Sequence, residues 1–344
     1  MSKALILAVA LLLLVACGQT GAPAQPSPST VTKLQVGVIG GISDAAFYIA
    51  NDKGYFKEQG IELETTRFDS AARMVAPLGT GQLDVGGGAP SAGLLNAIAR
   101  DVPLKIVADK GNMVPGHGYE AIVVRKTLWD KGSMKSATDL RGKTVALSAR
   151  DISPEVTLSA FLKTGGLSVK DVNMVTMSHA DMVTALANGS IDAGLLIEPF
   201  VTKAVANGVG TIWKRDDEVA PRQQVAVVLY GPKFAENRDL ARRFMLAYLK
   251  AARYYNSAFD KGDDVKRNDV IQILIRNTSV KEADLYAKMV MPGIDPNGHV
   301  NVDSLADQQE YFLSKGSQKT RVDLKQVVDV QFADWAVQKL GQYK

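Results

Sequence analysis

The sequence predicts an α/β protein built as two similar lobes, and three observations support this fold class. From Leu34 onward, short apolar runs alternate with segments of helical period, which is typical of sheets covered by helices. One helix-and-strand pattern occurs twice along the chain. Two further apolar runs flank the second copy of this pattern and suit segments that cross between lobes.

The first lobe is predicted to open with a strand, a turn and a helix. An apolar run ends at two glycines, and Ser43 or Asp44 then suits the N-cap of a helix. The predicted elements are a strand over Leu34–Ile39, a helix over Ala45–Lys53, a short helix over Tyr55–Gln59 and a strand over Ile61–Phe68. In such a sheet, ligands bind at the carboxyl ends of the strands.

An internal repeat predicts that the second lobe is built like the first. Each copy has a helix, a glycine where the helix stops, a short apolar strand and a turn that contains proline. The copies read Met74-Val75-x-x-Leu78-x-x-Gly81-x-Leu83-Asp84-x-Gly86 and Met182-Val183-x-x-Leu186-x-x-Gly189-x-Ile191-Asp192-x-Gly194. Aspartates at such positions usually accept hydrogen bonds from nearby backbone N–H groups, so we expect Asp84 and Asp192 to be structural.

The apolar runs Tyr119–Arg125 and Gln224–Tyr230 are predicted to be the crossing segments. The chain then becomes strongly helical and is expected to pack on the first lobe. The predicted helices are Asp239–Ser257, Asp264–Asn277, Lys281–Met289 and Asp303–Lys315. These elements place lobe 1 over residues 34–120 plus 231–344 and lobe 2 over residues 121–230.

The N-terminus predicts export. Lys3 and the apolar run Ala4–Ala16 form a signal peptide over residues 1–16, because the run is too short to span a membrane. The run leads into Cys17, the one cysteine of the chain, and resembles the bacterial lipobox. This resemblance implies a lipid anchor on Cys17, a flexible tether over residues 17–33 and a body held at the cell membrane, facing the periplasm or the exterior. The alternative is an ordinary secretory signal with a chance cysteine.

Composition argues against several classes of protein. The net charge is only +4 and no basic stripe with interleaved aromatic residues occurs, so nucleic acid is not a predicted partner. One cysteine leaves the mature body without a predicted disulfide or cysteine metal site. The three histidines are scattered, so we predict no metal site and no cofactor.

Four motifs, in this order and spacing, resemble the sulfonate, nitrate and thiamine-pyrimidine branch of the type II periplasmic binding proteins. They are Gly54–Leu63, Gly81–Gly86, Asp139–Ala146 and Gly189–Gly194. The resemblance covers about residues 34–230 and implies two α/β lobes joined by two crossing segments, with a ligand cleft between them. It also implies a small-molecule ligand, and an ABC permease and ATPase as partners; we expect a monomer.

The first lobe supplies candidate ligand contacts from two turns. The residues after the first strand line the cleft in the family, and backbone N–H groups at the helix start after Pro90 can hold an anion. These candidates are Gly41, Ser43, Asp44, Phe47, Pro90 and Ser91. The alternatives are that the glycines only form the turn, that Phe47 lies in the core, and that Ser91 only starts a helix.

The second lobe supplies Ser148, Arg150 and Glu198. Arg150 suits a bidentate clamp on a sulfonate, carboxylate or nitrate, and the alternative is a surface arginine paired with Asp151. Glu198 suits acceptance from a ligand amine, or a role in holding the hinge. An anion, a zwitterion or an aminopyrimidine therefore remain candidate ligands.

Three functions are compatible with these features. The first is a solute-binding lipoprotein for import, which binds without turnover. The second is an enzyme, since the fold is shared with proteins that make the thiamine pyrimidine with their own histidine and cysteines. The mature body lacks the cysteines for that chemistry. The third is a ligand sensor that serves no importer.

Overall fold

A computed structural model of the chain describes residues 31–344. The predicted signal peptide, Cys17 and nearly all of the predicted tether lie outside the described residues. The first strand begins at Thr32, two residues earlier than predicted, because it pairs with the second strand from Thr32 opposite Ile61 onward. Between residues 31 and 344, none of the helices combines the length and the apolar character that crossing a bilayer requires.

Strands and helices alternate through the first two thirds of the described chain. The strands are β1 Thr32–Val38, β2 Ile61–Arg67, β3 Val85–Gly88, β4 Lys105–Asn112, β5 Glu120–Arg125, β6 Thr144–Leu147, β7 Asn173–Thr176, β8 Ala193–Ile197, β9 Gly210–Arg215 and β10 Gln224–Tyr230. The helices up to β10 are α1 Ala45–Asp52, α2 Tyr55–Glu58, α3 Val75–Thr80, α4 Ala92–Ile98, α5 Lys126–Asp130, α6 Ser153–Thr164, α7 His179–Asn188, α8 Phe200–Ala206 and α9 Asp216–Val219.

The strands form two five-stranded sheets of the same design. The first has the order β2-β1-β3-β10-β4 and the second the order β7-β6-β8-β5-β9. In each sheet the first three strands are parallel, and the fourth runs antiparallel to both of its neighbours. The structure thus confirms the predicted fold class of two similarly built α/β lobes.

The internal repeat corresponds to equivalent parts of the two lobes. The helices α3 and α7 end at Gly81 and Gly189, whose φ angles of 77° and 80° are left-handed. Asp84 accepts a hydrogen bond from the backbone N–H of Gln35 at 2.8 Å, and Asp192 accepts one from Thr144 at 2.9 Å. Each aspartate therefore ties its strand to the neighbouring parallel strand, as predicted.

One predicted assignment needs correction. The strand Gln224–Tyr230 was assigned to the second lobe as a crossing segment, but as β10 it is a central strand of the first sheet. It pairs with β3 on one side and β4 on the other, and all of its residues are buried. The chain therefore crosses back between Arg215, at the end of β9, and Gln224. The other lobe boundaries stay a prediction.

The C-terminal part is helical. Its helices are α10 Pro232–Glu236, α11 Arg238–Phe259, α12 Asp264–Asn277, α13 Ala283–Tyr286, α14 Val302–Lys315, α15 Leu324–Val327 and α16 Gln331–Leu340. The predicted helix over Lys281–Met289 is one turn only. Beyond it the chain runs irregularly, with Met289 and Ile294 buried and Pro292 unable to continue a helix.

The tail packs on both lobes. The helix α11 lies against α1 in the first lobe, as expected. The helix α14, however, contacts α4 of the first lobe and α6 of the second. Lys315 of α14 forms an ion pair with Asp151 at 2.7 Å, and Tyr311 donates to Glu155 at 2.9 Å. The tail therefore contributes to holding the two lobes together.

Candidate functional site

A cavity lies between the two sheets, where the parallel strands of both end. Residues at or just after the ends of β1, β2 and β3 contribute to one wall, and residues at or just after the ends of β6, β7 and β8 contribute to the other. The lining residues are Ile39, Ser43, Asp69, Ser70, Ala71, Gly88, Ala89, Tyr119, Ser148, Pro154, His179, Ile197, Val225 and Ala226. Carboxyl ends of strands are where open α/β sheets bind ligands.

The cavity is small and mostly apolar. Its volume is about 30 Å³, which is enough for about one water molecule. The structure therefore represents a closed arrangement of the lobes, and a larger ligand requires them to part. Among the lining residues only Asp69 carries a full charge, while the other polar groups are hydroxyls and one imidazole. A small number of convergent polar groups in an apolar cavity is typical of small-molecule sites.

Two polar side chains at this cavity lack partners within the described part of the chain. The Ser70 hydroxyl oxygen and the His179 Nδ1 atom are buried without a hydrogen bond. Ser70 is 3% exposed and His179 is 7% exposed. Leaving a buried polar atom unpaired costs about 1–3 kcal/mol, so both atoms are well placed to bind a ligand.

His179 is held as a neutral side chain. Its ring stacks on Phe200 with the centroids 5.8 Å apart. Burial lowers the pKa of His179 to about 4, and the positive charge of Arg67 adds to this effect. At neutral pH the imidazole therefore offers one donor and one acceptor without a net charge. Sequence reasoning missed His179 because the three histidines are scattered, although its place directly after a strand and an N-cap serine resembles that of the predicted candidates.

The turn after β1 shows which of its candidates reach the cavity. Ser43 lines it, but Asp44 does not. The Asp44 carboxylate accepts hydrogen bonds from the N–H groups of Ile39 at 3.0 Å and Gly40 at 2.7 Å. It also pairs with the fully buried Lys110, whose Nζ atom is 2.7 Å from Asp44 Oδ1. Asp44 therefore shapes the turn instead of contacting the cavity.

Phe47 and Gly41 act in packing. Phe47 is 1% exposed and contacts Tyr248 with ring centroids 5.3 Å apart, so it lies in the core as the alternative predicted. At Gly41, an added Cβ atom would lie 2.8 Å from Ile197 Cδ1. Ile197 ends β8, so the missing side chain at Gly41 lets the two lobes approach each other.

The turn that contains Pro90 and Ser91 is joined to the second lobe. Ser91 caps α4 by accepting from the Leu94 N–H at 3.1 Å. The Ala92 N–H donates to the Asp151 backbone carbonyl at 2.9 Å, and the Ser153 N–H donates to the Pro90 carbonyl at 3.1 Å. The backbone groups expected to hold an anion thus bridge the lobes in this closed arrangement.

The second-lobe candidates divide in a similar way. Ser148 lines the cavity. Arg150 does not: its guanidinium donates to the Met174 carbonyl at 3.0 Å, and the side chain is 45% exposed. The predicted clamp is therefore not at the cavity, because the chain turns there and directs Arg150 along β7. The alternative partner, Asp151, pairs with Lys315 instead.

Glu198 is buried beside the cavity rather than in its lining. The carboxylate accepts from the Thr202 N–H at 2.9 Å and from the Thr202 hydroxyl at 3.0 Å. Burial raises the pKa of Glu198, opposed by these hydrogen bonds and by Arg215. Its backbone carbonyl accepts from the Ile42 N–H at 3.3 Å, which links the two lobes. The backbone of Glu198 therefore joins the lobes, and its predicted role in holding the hinge stays a prediction.

The described residues 31–344 contain no group of three His, Asp or Glu side chains arranged to hold a metal ion. The cavity offers hydroxyls, a neutral imidazole, the Asp69 carboxylate and apolar surface, which suit reversible binding of a small molecule.

Comparison with known proteins agrees with this geometry. A family model described as NMT1/THI5 like matches residues 43–258. The taurine-binding periplasmic protein of Escherichia coli is 28% identical over 243 residues, which cover 68% of this chain and 69% of that protein. The alkanesulfonate-binding protein SsuA from Xanthomonas axonopodis pv. citri, solved with bound MOPS, has a TM-score of 0.69 at 17% identity and covers 87% of this chain and 98% of its own.

A second similar structure is that of an enzyme. The desulfurization enzyme DSZB has a TM-score of 0.63 at 16% identity, with coverage of 90% of this chain and 99% of its own. At this identity the structural comparisons establish the fold alone. The family model covers more than half of the chain, and the resemblance predicted from the four motifs is confirmed. The chain belongs to the NMT1/THI5-like family.

Proposed function

We propose that this protein is the solute-binding component of an ABC importer, which captures a small organic molecule between its lobes and delivers it to a permease and its ATPase. The observation that carries the proposal is the cavity lined from both sheets at the ends of their parallel strands. Closure around a ligand is favoured only by the contacts that the ligand makes with both lobes, so closure reports occupancy to a partner.

The cavity favours a ligand with an apolar body and a polar head. Hydroxyls of Ser43, Ser70 and Ser148 can donate to oxygens of a sulfonate or nitrate-type anion. The neutral imidazole of His179 suits either an N–H group or an acceptor on the ligand, as a pyrimidine would provide. The relatives of this chain, which include a taurine-binding protein, support the sulfonate class first.

A thermal-shift screen of sulfonates, nitrate, carboxylates and pyrimidines tests the proposal. A compound that binds only the folded state at 100 times its Kd stabilises it by about 2.7 kcal/mol and raises Tm. We expect Ser70→Ala to reduce that shift, because Ser70 is buried at the cavity without a partner among the described residues. Ser314→Ala, at an exposed serine of α14, is the matched control and should leave the shift unchanged. Failure of every class to raise Tm would contradict the proposal.

An enzyme is the second candidate, favoured by the likeness to DSZB and by the contact of Ser43 with Lys110. The Lys110 Nζ atom donates to the Ser43 hydroxyl at 3.1 Å, a pairing that some serine hydrolases use. Here the same ammonium pairs with the Asp44 carboxylate and so has no lone pair with which to take the serine proton. Binding without turnover is therefore our proposal, and steady product formation by purified protein would overturn it.

We further propose that the protein is exported as a monomer and held at the membrane by a lipid on Cys17. Replacing the one cysteine removes the thiol that a lipid would modify. Cys17→Ala should move the protein from the membrane fraction to the soluble fraction of fractionated cells. An equal membrane fraction in wild type and variant would exclude the anchor. A sensor role would be favoured if cells lacking the permease and ATPase genes took up the ligand at the wild-type rate.

A further inference from the structure

Lys110 is a fully buried lysine, and a hydrophobic core does not require a charged side chain at this position. It lies on β4, and its side chain is 0% exposed. In the pairing of β4 with β10, Asp109 lies opposite Val227 and Gly111 lies opposite Ala226, so Lys110 falls at a register shift between them. Bulges of this kind often redirect a side chain next to a functional site.

The neighbouring strand leaves room for the lysine. An added Cβ atom at Gly87 of β3 would lie 2.6 Å from both Cδ and Cε of Lys110. The aliphatic part of Lys110 therefore passes over bare backbone, and any side chain at Gly87 would displace it. The bulge and the glycine together direct the ammonium group to the turn after β1.

At that turn the ammonium has two functions. It neutralises Asp44 at 2.7 Å and donates to the Ser43 oxygen at 3.1 Å. Because this oxygen accepts from Lys110, the Ser43 proton is directed elsewhere, either into the cavity or to the Tyr119 hydroxyl. Ser43 and Tyr119 both line the cavity, so either choice leaves an O–H donor on its first-lobe wall.

We propose that Lys110 is a positioning residue that fixes Ser43 as a hydrogen-bond donor and thereby makes this wall select ligands that present an acceptor oxygen. Lys110 does not touch the ligand; it acts through Ser43. The proposal rests on the proposed function, in that the ligand occupies this cavity. An ion pair that served only stability would not need the contact with Ser43, since Asp44 already accepts two backbone hydrogen bonds.

Neutron diffraction from crystals of the protein exchanged into D₂O tests the arrangement without a ligand. We expect three deuterons on Lys110 Nζ, with one directed at Ser43 Oγ, and the Ser43 deuteron directed at the cavity or at Tyr119. A Ser43 deuteron that points at Lys110 or Asp44 would overturn the proposal, whether or not any ligand is known.

A double-mutant cycle with ethanesulfonate as the probe tests selection. Lys110→Met alone leaves Asp44 unpaired, so the variant used is Lys110→Met/Asp44→Asn, which removes both charges together. We expect it to weaken binding about tenfold or more, because a Ser43 hydroxyl that is no longer oriented loses its hydrogen bond to the charged ligand oxygen. In a Ser43→Ala background the same double substitution should change the Kd for ethanesulfonate by less than about twofold. Its effect on binding acts through Ser43, and the effects of coupled residues are not additive.

The matched control is Lys126→Met/Asp130→Asn, which removes an exposed ion pair of the second lobe and should leave binding unchanged. If Lys110→Met/Asp44→Asn lowers the affinity for ethanesulfonate equally with and without the Ser43 hydroxyl, the positioning role is overturned. If wild-type protein fails to bind ethanesulfonate, that result counts against the proposed ligand class, and the neutron experiment still decides the role of Lys110.

Discussion

Lys110→Met should lower the free energy of unfolding by about 3–5 kcal/mol, because it leaves the Asp44 carboxylate buried without its counterion. Both members of this pair are 0% exposed, and their charged atoms are 2.7 Å apart. Lys110→Met/Asp44→Asn should recover most of the loss, since an uncharged pair of similar size has no desolvation penalty to offset. Urea unfolding at pH 7 measures both changes.

The control for this prediction is Lys126→Met, which breaks an ion pair whose side chains are 43% and 54% exposed. An exposed pair contributes about 0–1 kcal/mol, so this variant should unfold close to wild type. A loss below about 1 kcal/mol for Lys110→Met would show that the buried pair does not hold the turn after β1.

The free energy of unfolding should fall as the pH rises from 5 to 8, because two acidic side chains are buried side by side. Glu120 begins β5 and Asp216 begins α9, and both are buried. Among the described residues, none of their four carboxyl oxygens has a well-aligned hydrogen-bond donor, although the Thr157 hydroxyl lies close enough to oppose the rise in the pKa of Asp216. Burial raises the pKa of Asp216 to about 7 and the pKa of Glu120 well above its usual range. A proton shared between the two carboxyl groups gives each of them a hydrogen-bond partner.

The sign of the pH effect follows from proton binding. The unfolded chain releases these protons near pH 4, whereas the folded protein keeps them up to about pH 7. Stability from the protonated pair is therefore complete below pH 4 and is lost as the pH rises through about 7. A shift of this size for Asp216 corresponds to about 4 kcal/mol as an upper bound.

Urea unfolding at pH 5 and pH 8 measures this effect. Glu120→Gln/Asp216→Asn should remove most of the fall and raise stability at pH 8 more than at pH 5. Burial also raises the pKa of Asp109 to about 7 and lowers the pKa of His179 to about 4, and these two shifts change stability in opposite directions as the pH rises, so the variant should show little net change. An equal change in stability from pH 5 to pH 8 in wild type and variant would contradict the shared proton.

Much of the fold could be predicted because its signals are local. The strand Gln224–Tyr230 and the helix Asp264–Asn277 have the bounds that apolar pattern and turn residues predict. The partner of a strand is not a local property. The run Gln224–Tyr230 is apolar throughout, and only its pairing with β3 and β4 shows that it belongs to the first sheet.

The candidate site was predicted only in part, for a similar reason. Ser43 and Ser148 were found because each follows a strand, which is where α/β sheets place their ligands. Ser70 and His179 also follow strands, but no sequence motif marked either residue as a candidate. Arg150 follows a strand too, yet its side chain turns outward to Met174. Lys110 reaches Ser43 across 67 residues through a bulge, which no local pattern reveals.

Ligand-dependent closure of the two lobes is the central claim, and a distance between spin labels tests it most directly. Lys57→Cys in the first lobe and Lys163→Cys in the second are both exposed, and Cys17→Ala leaves them as the only thiols. A compound that raises Tm should convert a broad distribution of label distances, measured by double electron–electron resonance, into a narrow one, centred slightly above the distance in this closed structure because a ligand larger than water holds the lobes further apart. An unchanged distribution at saturating compound would contradict closure around the ligand.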